Sequence, residues 1–213
     1  MTSDIPQKKT DRRILRTRNA LVTALTELIE EKDYTEISVD EITQRADIGR
    51  ATFYLHFKDK DDLLLEKFNE LVSKRVEELS QISLDFSKSD LAGETQRPLF
   101  PSPPLLGVFE YIVENQKIFR IQLNSANALN MSEKIGTIIL NSIMQVFQSI
   151  EKNNPEHLQF NLPIEFVSAY FSGALLSSVK WWMLENKMQL TPLEMTRMFQ
   201  PMFFPGLRKV LGL

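Results

Sequence analysis

At 213 residues, with a formal net charge of −3, seven glycines and no cysteine, the chain has room for a small and a larger helical domain but for no disulfide framework and no thiolate chemistry. Its apolar content is that of an ordinary folded protein, and its net charge does not by itself mark a nucleic-acid binder. Scarce glycine among long periodic runs points to an all-α fold, and the absence of cysteine and of a secretory signal fits a cytoplasmic protein.

Residues 1–10 read as a disordered basic arm. Lys8, Lys9, Arg12, Arg13, Arg16 and Arg18 stand against Asp4 and Asp11; such a cluster either touches phosphate or is a solvated tail. Ile14, Leu21, Ala24, Leu25 and Leu28 recur at helical spacing, which predicts a first helix over 11–32. Ser38 and Glu41 have the spacing of a capping box, so a second helix begins at Val39, with Val39, Ile42 and Ala46 on its apolar face. The stretch 46–49 breaks it. A third helix, roughly Arg50 to Phe57, buries Phe53 and Phe57 at i, i+4 and turns Arg50, Ala51, Tyr54 and His56 outward. Asp59 then caps a fourth helix, with Asp62 at its N3 position, that runs to about Gln81. A helix, a tight turn and a polar second helix form the geometry that seats a recognition helix in a DNA major groove.

Residues 83–104 carry four prolines and read as a loop or linker. Beyond it, helices are predicted from Pro103 and Pro104 through Val113, over 116–124, over 131–152, over 162–186 and from Thr191 to Gln200. Thr191 is the N-cap of the last, with Pro192 at N1 and Glu194 at N3. Pro201 and Pro205 should kink or end it, because each removes a backbone donor. The longest apolar stretch, Phe166 to Val179, is too short to span a bilayer, so no membrane association is expected.

The spacing Thr52-Phe53-Tyr54-x-His56-Phe57-x-x-Lys60-x-x-Leu63, within residues 12–64, resembles the helix-turn-helix of TetR/AcrR-family transcriptional regulators. The segment YFSGALLSSVKWWMLENKMQLTPLEMTRMF (residues 170–199) resembles a subgroup of that family. The resemblance implies a three-helix DNA-binding head over 11–58 and a larger helical effector-binding and dimerisation domain over 59–213. Carried over by position, Tyr54, Thr52 and Ser38 with its neighbour Val39 would meet backbone phosphates. Lys60 would add a cation at a helix N-terminus. Arg50 would read a guanine edge, Ala51 a thymine methyl, and Leu55 and His56 would lie at the groove edge. Phe53 and Phe57 would be core; the other reading of Tyr54 is a plain surface tyrosine, of His56 a capping or packing residue, and of Arg50 a partner of Asp47 in the free protein. Three positions depart from the family pattern. Asp47 stands in the turn where glycine is common, Gly49 where a capping Ser or Thr is usual, and Asp40 puts an anion near the DNA-facing start of the second helix.

By the same resemblance the chain would be a ligand-responsive repressor, acting as a homodimer on a palindromic double-stranded operator. Phe171, Leu175, Trp182, Met198, Phe199 and Met202 are candidates for the dimer face, each of which serves equally well as core. Tyr111, Phe119, Asn124, Phe147 and Trp181 are candidates for the lining of a pocket for a lipophilic effector, again with core as the other reading. The fourth helix, shared by head and body, would be the lever between effector and DNA. Two other readings stand beside this one. A protein-binding co-regulator with the same fold is kept open by Asp40 and Gly49. An enzyme is not expected: the only histidines are His56 and His157, and no phosphate loop, nucleophile elbow or metal-ligand cluster appears, so neither cofactor nor metal is called for.

Overall fold

The computed structural model describes residues 5–80, 104–124, 128–153 and 160–210, and the expected linker over 83–104 lies almost wholly outside them. Among the described residues the regular structure is entirely helical: α1 (Ile5–Glu31), α2 (Val39–Arg45), α3 (Arg50–His56), α4 (Lys60–Ser80), α5 (Pro104–Glu114), α6 (Gln116–Asn124), α7 (Ala128–Asn153), α8 (Ile164–Lys180) and α9 (Pro192–Val210). A 3-10 turn covers Tyr34–Glu36, and a π-helical turn, Trp181–Glu185, follows α8. No described helix is long and apolar enough to cross a membrane.

The chain divides into two compact units, Met1–Glu70 and Leu71–Leu213. That division falls inside α4, where a boundary at 58/59 was expected. The first half of α4 carries Leu63, Leu64 and Phe68, all buried, so it belongs to the core of the first unit. The basic segment expected to be disordered is helical from Ile5 onward. Pro6 sits in the first turn of α1, the one place where a missing N–H leaves no helical bond unmade.

Local chemistry accounts for the first unit. The Ser38–Glu41 capping box is complete: Glu41 N–H donates to Ser38 Oγ at 3.2 Å, and Ser38 N–H donates to Glu41 Oε2 at 2.9 Å. Lys32 adds a hydrogen bond and an ion pair to the same carboxylate. The end of α2 is a Schellman turn. Asp47 takes φ 53, its N–H bonds Gln44 O at 3.2 Å, and Ile48 N–H bonds Thr43 O at 3.0 Å. An aspartate tolerates this left-handed position better than most residues, so the turn closes without the usual glycine. Leu21, Leu25, Ile42, Phe53, Phe57, Leu63 and Leu64 form the core between the four helices.

In the second unit, Trp182 is wholly buried, packs edge-on to Phe109 at 5.5 Å between centroids, and donates its indole N–H to Leu190 O at 2.9 Å. Phe199 of α9 meets the other side of Phe109 at 6.2 Å. Phe147 of α7 lies between Phe160 and Phe171. The Thr191–Glu194 capping box opens α9 as expected. Its end is not as expected, because the helix runs through both Pro201 and Pro205. Spaced four apart, the two prolines share one exposed face. Water there can satisfy the carbonyls that each ring leaves unbonded, so the interruption is tolerated.

The Lys32 bond, followed by the two Ser38 bonds, holds the Glu41 carboxyl at about 2, below its ordinary 4.5. A carboxyl depressed in the folded state contributes stability that is present above pH 4.5 and is lost as pH falls toward 2. Glu41→Gln should therefore melt below wild type at pH 7, and the gap should close on acidification through that window. Thermal melts from pH 7 to pH 3 measure it, and a gap independent of pH would contradict the assignment.

Candidate nucleic-acid interface

A seven-residue helix presents the site. Phe53 is fully buried and Phe57 nearly so, and the two rings lie 5.9 Å apart. Burying that side of α3 turns Arg50, Ala51, Tyr54 and Leu55 outward, all exposed, with Leu55 at 81% the most exposed large apolar side chain among the described residues of the unit. Thr52 and His56 are half-buried at the edges of this face. Leu55 stands beside Tyr54, whose ring packs edge-on to Phe53 at 5.3 Å between centroids while half of its surface stays exposed.

Electrostatics on this face differ from the expectation in two respects. Arg50 pairs with Asp40 of α2, not with Asp47: its Nη1 donates to Asp40 Oδ1 at 2.7 Å and to Oδ2 at 2.9 Å. Its Nη2 reaches the Tyr54 hydroxyl at 3.5 Å, and the guanidinium stands 5.8 Å from the centre of the Tyr54 ring. Asp40 is thus a member of the site that the sequence marked only as an unwelcome anion. The available signal was an acid at the second position of α2, next to a turn that folds α3 back beside it.

Lys60 is the second correction. Expected as a phosphate ligand, it donates instead to Tyr34 O at 2.8 Å, Ile37 O at 2.7 Å and, more weakly, Thr35 O at 3.4 Å, with its ammonium 4.5 Å above the Tyr34 ring. These carbonyls end the 3-10 turn, and the three N–H groups of a lysine are consumed in holding them. The Tyr34 hydroxyl donates to Asp61 at 2.6 Å; burial first, and then the Asp61 carboxylate, push the Tyr34 pKa far above the usual tyrosine range. Ser38 is exposed, but its hydroxyl also donates to Glu41 at 2.9 Å, so a phosphate there would meet a cap already formed; Val39 beside it is half-buried. Arg18, read from sequence only as part of a basic arm, has a structural place as well. It stacks 4.6 Å from the Phe57 ring and pairs with Glu66 at 2.9 Å.

In the second unit the candidates sort by burial. Phe171, Trp182 and Phe199, proposed for a dimer face, are buried inside the unit and unavailable to a partner, because their rings build its aromatic core. Leu175 is half-buried, and Met198 and Met202 are exposed. Of the pocket candidates, Phe119 and Phe147 are buried and Tyr111 is half-buried. Trp181 is 38% exposed and turned to the surface, against the expectation of a lining residue. The side chain of Asn124 lies outside the described residues. Sequence reading missed Gln122 and Ser168, which are buried with side-chain polar atoms that meet no hydrogen-bonding partner.

Comparison with known proteins agrees with this geometry. Residues 21–66 match the family described as "Bacterial regulatory proteins, tetR family", and residues 101–204 match "Transcriptional regulator C-terminal region". The Bacillus subtilis protein "Uncharacterized HTH-type transcriptional regulator YxbF" is 46% identical over 59 residues, which is 27% of this chain and 16% of that one. A regulator of Haemophilus influenzae matches at 27% identity over 55% of this chain and 54% of its own length. The chain thus spans about half, or less, of the curated relatives it matches. Among solved structures, a TetR-family regulator of Pectobacterium atrosepticum superposes with a TM-score of 0.60 at 18% identity, over 94% of this chain and 96% of that one. At such identity the likeness is one of fold.

The Lys60 contacts separate a structural from a DNA-binding role. Lys60→Met should lower stability by about 1.5–3 kcal/mol, the range for hydrogen bonds to a charged group, and leave the salt dependence of DNA binding unchanged. A salt slope smaller by about one, with unaltered melting, would restore Lys60 to the phosphate contacts.

Proposed function

The chain belongs to the TetR family of transcriptional regulators, and we propose that this DNA-binding regulator is a homodimer that represses transcription from a palindromic operator until a lipophilic effector releases it. The observation that carries the reading is the face of α3, where Arg50, Ala51, Tyr54 and Leu55 are held outward by a buried Phe53. Tyr54 and Thr52 offer hydroxyls to phosphates, which position a head without reading sequence. Arg50 offers a guanidinium to a guanine edge. One such head buries little surface, so tight binding calls for two, on half-sites about 34–36 Å or more apart.

The second unit supports the dimer. On α8, Phe166 and Tyr170 are 62% and 63% exposed, with exposed Ala169 and Gly173 on the same side. On α9, Met198 and Met202 are 48% and 71% exposed. Large apolar side chains interleaved with small residues let two copies approach closely and bury what water would otherwise hydrate.

An effector is supported by the buried polar atoms of Gln122 and Ser168. Buried amides and hydroxyls are ordinarily hydrogen-bonded, so these are where the polar atoms of a largely apolar ligand would be received. A fold neighbour, a TetR-family transcriptional repressor of Thermus thermophilus, was solved with lauroyl-CoA; its TM-score is 0.58 at 16% identity, over 86% of this chain and 91% of that one. Medium- and long-chain acyl-CoAs are therefore the first compounds to try. To act, the effector must bind the DNA-free geometry of the heads better than the bound one.

The test is binding of the purified protein to a labelled fragment of its own upstream region, at low and moderate salt. Wild type should bind saturably and resist competitor DNA, while Tyr54→Phe and Arg50→Ala bind roughly tenfold more weakly, the loss of one good contact. Binding equal on any DNA would remove the operator reading. For the dimer, Tyr170→Arg should sediment as a monomer and lose operator affinity; a Tyr170→Arg protein that stays dimeric places the interface elsewhere.

A further inference from the structure

We propose that Asp40 is a specificity-determining residue, which positions Arg50 for a guanine and denies it to backbone phosphates. The inference rests on the DNA-binding reading of α3 and goes beyond it, to a residue outside the recognition helix. Both side chains of the Asp40–Arg50 pair are well exposed, at 65% and 59%. A surface pair of that exposure adds little to folding, so stability does not explain why the carboxylate stands there.

Geometry supplies a reason. Asp40 takes Nη1 of Arg50 with both of its oxygens, at 2.7 and 2.9 Å, while the Tyr54 ring and hydroxyl flank the guanidinium on another side. Asp40 leaves Nε and Nη2 untaken, with Nη2 held only at the 3.5 Å limit by the Tyr54 hydroxyl, and these two N–H groups have the spacing of guanine O6 and N7. A long side chain held at two places gives up little further freedom when it meets a base. The carboxylate also balances the charge of Arg50 locally. Attraction to a phosphate, which depends on charge alone, is weakened, whereas a bidentate contact to a base edge keeps its directional bonds. An anion beside the DNA thus lowers binding to any sequence and sharpens the choice among sequences.

The test is selection from a random-sequence duplex library by the full-length protein, for wild type, Asp40→Asn, Arg50→Ala and the double variant. Melting curves of all four should coincide to within a few degrees, since the pair is exposed. Wild type should enrich a half-site with guanine at one position. Asp40→Asn should reduce that preference roughly tenfold, and on unselected DNA it should bind more tightly with a salt slope larger by about one. In the Arg50→Ala background, Asp40→Asn should leave the base profile unchanged. An Asp40→Asn base profile within twofold of wild type at every position overturns the proposal, as does an equal change of that profile with and without Arg50. No enrichment by wild type would instead remove the operator reading beneath it.

Discussion

A helix of seven residues has no stability of its own in water, because nucleation consumes more conformational freedom than a few hydrogen bonds return. The helix proposed to face DNA, α3, is of that length, and it exists because Phe53 is fully buried beneath it. A buried phenylalanine is worth several kcal/mol against truncation, about 3–5 kcal/mol in typical cores. The same contact sets the rotation of α3, since burying Phe53 and Phe57 leaves only one arc for Arg50, Ala51, Tyr54 and Leu55. The Schellman turn at Asp47 and the capping box at Ser38 fix the neighbouring helix, so the exposed face of α3 inherits its orientation from groups outside it.

Charge in the first unit is arranged around that frame, and little of it is spent on general attraction. Lys60 holds carbonyls, Arg18 packs on Phe57 and pairs with Glu66, Arg45 joins Glu27 and Glu31, and Arg50 is shared between Asp40 and Tyr54. With Arg18, Arg45, Arg50 and Lys60 committed to partners within the protein, the head should depend less on phosphate attraction, and more on directional contacts, than its count of lysines and arginines suggests. The acidic balance of the whole chain, −3, is compatible with this, because net charge governs long-range attraction while contacts within a few ångströms decide recognition.

The second unit solves a different problem with the same residue types. Its aromatics fall into two populations that composition cannot tell apart. Phe109, Phe147, Phe171, Trp182 and Phe199 interlock edge to face inside, whereas Phe166 and Tyr170 stay outside on α8. Phe171 and Tyr170 are adjacent in sequence and opposite in fate, separated by one step of about 100° around the helix. The prolines of α9 follow the same logic: on the exposed face they leave the helix intact, where on the inner face they would have left buried carbonyls unbonded.

The amino-acid sequence by itself determined the helices, their caps and the helix-turn-helix, because these depend on residues within four positions of one another. Ser38 with Glu41, Thr191 with Glu194, Phe53 with Phe57 and the left-handed Asp47 could all be read directly, and α2, α3 and α9 begin where those signals put them. The family was legible for the same reason, in a motif spanning only a dozen residues. The tertiary structure alone decided which partners the charged side chains take and which side of each long helix faces in. Asp40 and Arg50 are ten positions apart, and Lys60 and Tyr34 twenty-six. Pairings at that distance depend on how one helix is folded against another, and no local spacing records them. The division of the aromatics between core and surface was hidden likewise, because a helix with apolar residues on more than one side carries no mark of which side its neighbours will cover.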